Sequence, residues 1–177
     1  MQLKSLDGCR LKIGSYPAFS YNASGGGGEG IILPSEKNNI LNLCFSSKTF
    51  SIPALSSQTT KFLLLPLPPG IKIEMSMDKL KGSIDKNSGE VLLEFESKFV
   101  LKIGAMIKFP DLLVKTTLET GRVQGELHEG DGVTVQKNGK AKLVGIAIIP
   151  RTGNKILDTF LDLPNEAIAE LQCEIKY

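Results

Sequence analysis

The sequence predicts a mainly β fold: one domain over residues 1–177, an antiparallel β-barrel or β-sandwich with a long central hairpin and one short C-terminal helix. Three observations carry this. From Glu90 to Ile103 the chain reads EVLLEFESKFVLKI; the odd positions from Val91 to Ile103 are apolar except Ser97, while Glu94, Glu96, Lys98 and Lys102 lie between them. Period two separates the faces of a strand, whereas a helix would spread the same residues around its axis. From Ile71 to Asp85, IKIEMSMDKLKGSID, the residues Ile71, Ile73, Met75 and Met77 alternate with mostly charged neighbours before the phase slips to Leu80 and Ile84. One extra residue near Asp78–Lys79 produces such a slip, as in a β-bulge. Third, 18 glycines and 9 prolines suit a turn-rich β chain better than a helical one.

Between the two runs, Asp85-Lys-Asn-Ser-Gly89 has the composition of a tight turn closed by a left-handed glycine. Residues 71–103 therefore read as one hairpin. Its arms exceed the usual strand length of about 5–6 residues, and long twisted strands curl toward closure. The predicted architecture resembles lipocalin-like barrels in architecture alone, because no motif of that family is matched.

The remaining elements follow in order. The N-terminal half predicts short strands around 11–24, 31–33, 40–45, 49–52 and 60–65, split by glycine, serine and proline. No polar residue interrupts Leu63-Leu64-Leu65, so that strand end is expected to be buried on both faces. Pro66, Pro68 and Pro69 then impose an extended link. After the hairpin, Leu112, Val114, Thr116 and Leu118 alternate with Leu113, Lys115, Thr117 and Glu119 as another strand. Turns are expected at Gly121, at His128–Gly132 and at Lys137-Asn-Gly139. Lys140–Ile149 is apolar on both faces over 143–149 and should be central or covered. Asn154–Leu161 predicts a helix with Ile156, Leu157, Phe160 and Leu161 on one face. Alternation over 169–177 predicts a last strand, with Pro164-Asn-Glu-Ala as an alternative helix opening.

Composition narrows the function. With 21 Lys+Arg against 19 Asp+Glu and no Trp, the chain has neither the basic footprint nor the stacking platform of a nucleic-acid binder. No apolar window approaches the roughly 18 residues of a spanning helix, so no transmembrane segment is expected. The first residues, MQLKSLDGCRLKIG, lack a secretory leader's apolar run, which predicts a cytoplasmic protein. Cys9, Cys44 and Cys173 are odd in number and far apart, so they are expected to be free thiols in a reducing compartment.

Four motifs invite chemistry. Gly25, Gly27 and Gly30 in SGGGGEG satisfy G-x-G-x-x-G, but Ile31-Ile-Leu-Pro34 is a poor start for the helix a phosphate cradle needs. The glycines are expected to form a flexible hairpin loop or a barrel corner. His128, the only histidine, could hold a metal with Glu126 and Asp131, or act as a base oriented by Glu129. A solvated charged turn is the expectation, since zinc sites want more than one His or Cys. Glu94 and Glu96 share a face, yet Lys98 and Lys102 continue the row, which describes a solvated outer surface. Tyr16, Tyr21 and Glu29 beside the glycines are the best candidates for a barrel enzyme without a recognisable motif.

The functional expectation is a non-catalytic binding module, with no cofactor and no metal. Its partner would be a small hydrophobic ligand (a lipid, isoprenoid or pigment) held inside a β-barrel by Met75, Met77, Phe95, Phe99 and Leu101. A structural or assembly protein with a filled barrel is the alternative, and a homo-oligomer would suit it. An internal pocket of roughly 300 Å³ or more favours the first reading.

Overall fold

The computed structural model describes residues 1–177. Extended chain dominates, as the alternation requires. In the first half lie β1 (Gln2–Ser5), β2 (Cys9–Ile13), β3 (Phe19–Tyr21), β4 (Gly27–Leu33), β5 (Ile40–Phe45), β6 (Thr60–Phe62) and β7 (Leu65–Pro66). The long pair β8 (Ile71–Asp85) and β9 (Val91–Ile103) follows, then β10 (Ile107–Lys108), β11 (Leu112–Glu119), β12 (Arg122–Gln124) and β13 (Glu129–Asp131). The chain ends with β14 (Lys140–Ile149), the helix α1 (Lys155–Phe160) and β15 (Asn165–Lys176).

The predicted hairpin is present. Ile71 lies opposite Ile103 and Ile84 opposite Val91, with the register broken between Met77 and Lys79. Asp78 is the extra residue, and the bulge lets Met77 and Leu80 face the same core despite their opposite parity. The turn is held by the Asp85 carboxylate, which accepts from the amides of Asn87 at 2.7 Å and Ser88 at 3.2 Å, and Gly89 supplies φ 73°.

All pairings are antiparallel. β1 bonds to β4 on one side and to β15 on the other, so the path β1–β4–β5–β8–β9–β11–β14–β15 returns to its start. β15 also pairs with β2 through its N-terminal half, and the sheet continues from there through β3, β6 and β7. Thirteen buried side chains form the main core, among them Leu3, Leu43, Ile84, Leu93, Leu143 and Cys173. A second cluster joins Cys9, Tyr21, Leu55 and Leu67. Outside the ring, the β12–β13 hairpin lays Val123 over Val144 and Ile168. That cover explains why β14 is apolar on both faces.

The outer face of the hairpin is charged, as predicted. Lys79 reaches Glu94 at 2.6 Å, Lys115 reaches Glu96 at 3.1 Å, and Lys102 reaches Glu74 at 2.6 Å. These pairs are solvent-screened and secondary to the apolar face.

Several features differ from the sequence expectation. β1 was not anticipated, because four residues give too short a pattern to read; it owes its place to pairing on both sides. Residues 49–52 do not form a strand and touch β4 through a single bridge, Gly27 with Ser51. The glycine stretch is a turn only at Ser24–Gly25, and from Gly27 onward it belongs to strand β4. Leu63, Leu64 and Leu65 are not buried but 63%, 89% and 69% exposed, because Leu63 and Leu64 form the turn between β6 and β7. In α1, capped by Asn154 Oδ1 accepting from the Leu157 amide at 3.0 Å, Leu157 is the residue turned into the core. Ile156 and Phe160 face outward, since a helix of under two turns offers the core little more than one side chain. The alternative helix at Pro164 is absent too: the Leu163–Pro164 peptide is cis and β15 starts at Asn165.

Cys173 is fully buried as a free thiol, with Leu171 and Ile175 beside it on β15. Burial pushes its thiol up to about 12, so almost no thiolate is present at neutral pH. Thiol titration of the native protein should modify half-buried Cys44 first and leave Cys9 and Cys173 untouched until denaturant is added. Rapid native labelling of Cys173 would contradict this packing.

Candidate functional site

Antiparallel strands give the ring two ends. At one lie polar turns such as 35–39, 86–89 and 137–139. At the other, β8, β11 and β15 begin and β9, β14, β2 and β6 finish. The inward row of β9 runs between them and its burial falls off along its length. Val91 and Leu93 are 1% and 0% exposed, Phe95 is half-buried against the main core, and Ser97 is buried. Phe99 and Leu101 are half-buried, and Ile103 is 40% exposed.

The residues singled out from the sequence divide along this gradient. Met77 is a member of the main core and Phe95 packs against it, so both contribute to packing. Met75 pairs with Phe99, and Leu101 with Ile73; all four are half-buried at the less filled end. Ile13, Leu112 and Val114 are half-buried there as well. Ser97 lies between Met77 and Val114 in register, and its hydroxyl is buried with no hydrogen-bond partner. Its signal was visible in the sequence as the one polar interruption of an apolar row.

The other candidates do not converge. Tyr16 donates to the Phe160 carbonyl and its ring lies 5.7 Å from the Phe160 ring. Tyr21 donates to the Pro53 carbonyl, and burial pushes its phenol well up. Glu29 lines an open cleft of about 360 Å³ with Met1, Gln2, Gly30 and Lys176, an almost wholly polar lining. Gly26, Gly27, Gly28 and Gly30 serve close packing: a Cβ on Gly30 would meet the Phe45 ring at 2.8 Å, and β4 continues past them where a phosphate cradle needs a helix.

His128 is not on a solvated turn; it is 7% exposed. The cause is Glu166, a buried carboxylate that sequence reading missed because it belongs to a strand far along the chain. Glu166 Oε2 accepts from the Glu126 amide at 2.7 Å, and Oε1 accepts from the Leu127 amide at 3.0 Å and the His128 amide at 2.7 Å. Burial raises the carboxyl's affinity for a proton, but the three amide donors outweigh it and hold Glu166 below the ordinary carboxylate range. Gly125 makes room, since a Cβ there would lie 2.3 Å from Oε2. The buried His128 Nε2 has no partner within the protein, and the residue lines a cleft of about 260 Å³ with Arg10, Lys12, Glu129 and Glu170. No three His, Cys, Asp or Glu side chains converge in metal-ligating geometry, so Glu126, His128 and Asp131 are not brought together as ligands. No helix is long and apolar enough to cross a membrane.

Fold and site together define a mainly antiparallel β protein whose inward apolar face is closely filled at one end, while at the other half-buried side chains surround a smaller buried cluster of Ala147, Ile149 and Leu163. No family model matches the chain, and neither a curated protein nor a solved structure matches it.

Proposed function

We propose that the protein is a non-catalytic binding module for a small amphipathic ligand. The ligand has an apolar body of lipid, isoprenoid or pigment type and one hydrogen-bonding group. It enters at the half-covered end of the ring, against Ile73, Met75, Phe99 and Leu101. The observation that carries this reading is the Ser97 hydroxyl. A buried hydroxyl with no partner is uncommon, because leaving it unpaired costs about 1–3 kcal/mol. A ligand oxygen reaching Ser97 would satisfy it, and the half-buried apolar groups beyond would cover the ligand body. The filled half of the ring favours a second reading, an assembly protein for which the ring is only a scaffold.

Native mass spectrometry of protein purified without detergent, run intact and again after organic extraction, distinguishes the two. A mass excess lost on extraction is expected, together with adducts when oleic acid or retinol is added to the extracted protein. Leu101→Arg should abolish those adducts, and Ser97→Ala should weaken them while leaving the fold intact. The bare chain mass throughout, with no adduct from either probe, would leave the assembly reading.

A further inference from the structure

The turn between β6 and β7 contradicts its own chemistry. Phe62 pairs with Leu65, so Leu63 and Leu64 are the two central residues of a tight hairpin, at φ 51° and 69°. Two positive φ values call for Asn-Gly or Gly-Gly, because a branched apolar side chain is crowded in the left-handed region. The strain gains no burial in return, since Leu64 is 89% exposed. Strained backbone of this kind clusters at ligand clamps and other functional sites.

The neighbourhood supplies the rest. Phe62 and Ile73 pack into one cluster, so the turn projects at the end where β8 begins and β9 finishes. The tip between β9 and β10 at that end presents Met106, 95% exposed, and Ile107. At the same end α1 presents Ile156, 73% exposed, and Phe160. Each apolar tip carries a lysine beside it: Lys61 before the leucine turn, Lys108 after Ile107 and Lys155 before Ile156. These three lysines are exposed and stand outside every ion pair of the structure. Over the segments 61–74, 102–111 and 150–164 that form this end, Lys and Arg number six against four Asp and Glu. Glu74 is held between Lys72 and Lys102, and Asp158 is occupied by Thr152 and the Gly153 amide.

We propose that this end of the protein docks on the surface of an anionic lipid bilayer. The turn leucines and the Met106 and Ile156 tips enter the headgroup region, and Lys61, Lys108 and Lys155 lie against the lipid phosphates and carboxylates. Separated apolar tips with a cation at the base of each fit a fluid two-dimensional surface. Docking at this end uses the turn and the charges and needs no ligand at Ser97.

Co-sedimentation with vesicles tests it, using phosphatidylcholine alone and phosphatidylcholine mixed with phosphatidylserine. Binding is expected to the mixed vesicles, to be weak on phosphatidylcholine alone, and to fall as salt is raised. Leu63→Asn with Leu64→Gly keeps the turn and relieves its strain, so the melting temperature should hold or rise while vesicle binding falls at least about tenfold. Replacing Lys61, Lys108 and Lys155 by alanine should lower binding to the mixed vesicles by at least about tenfold. Wild-type protein that ignores anionic vesicles at low salt, or a turn variant that binds as wild type does, overturns the proposal. So does self-association of the wild type at this end without vesicle binding, which would assign the surface to a second copy. Vesicle binding by protein that carries no extractable ligand and takes up neither oleic acid nor retinol leaves this proposal standing and removes the preceding one.

Discussion

Glu166→Ala is expected to destabilise the protein by roughly 3–5 kcal/mol, because three amides lose a charged acceptor and one of them belongs to buried His128. Glu166→Gln keeps one acceptor oxygen but aims an N–H at a donor, so it should fall between wild type and Glu166→Ala. The pH dependence follows from the direction of the shift. The folded carboxyl is held below its unfolded value, so the unfolded state binds the proton more tightly. The stabilisation is therefore complete above the unfolded value of about 4.3 and is lost as pH falls through the folded value. Urea denaturation at neutral pH and again at acid pH checks this. The gap between wild type and Glu166→Gln should narrow on acidification, and a gap that stays constant would mean the carboxylate is not what holds the 126–128 turn.

Gly27→Ala is expected to be of similar size. Gly27 has φ 112°, and a Cβ there would sit 2.0 Å from the Leu3 carbonyl oxygen and 2.9 Å from the Lys4 Cα. Both obstacles are backbone, so neither yields by a rotamer change. β1 must move away from β4, and β1 is the strand that closes the ring of pairings. Left-handed strain of about 1–3 kcal/mol and overpacking of about 1–3 kcal/mol act together. Gly25→Ala is the control: φ is 89°, but no atom lies within 4 Å of the added Cβ, so the conformational cost alone is expected. Equal melting temperatures for the two variants would show that the β1–β4 approach is looser than described.

The same two sites show where sequence reading stops. Gly27 stood inside a fingerprint for phosphate binding, yet its use is a close approach between strands 23 residues apart in the chain. Glu166 looked like an ordinary charge near the start of a strand. Its partners come from about 40 residues earlier, and no local pattern announces them.

What the sequence by itself determined is local. Alternation over 71–103, the bulge at Asp78, the Asp85–Gly89 turn and the double-faced β14 were all legible, because period two and turn chemistry act between neighbours in the chain. Ser97 was legible for the same reason, as a break in a regular row. The tertiary structure alone decided which apolar residues are covered. Leu157 is buried and Ile156 beside it is not; Val144 is roofed by β12–β13, while Leu64, equally apolar, is left in solvent on a strained turn. Burial depends on which distant segment packs over a side chain, and that information is spread across the whole ring of strand pairings.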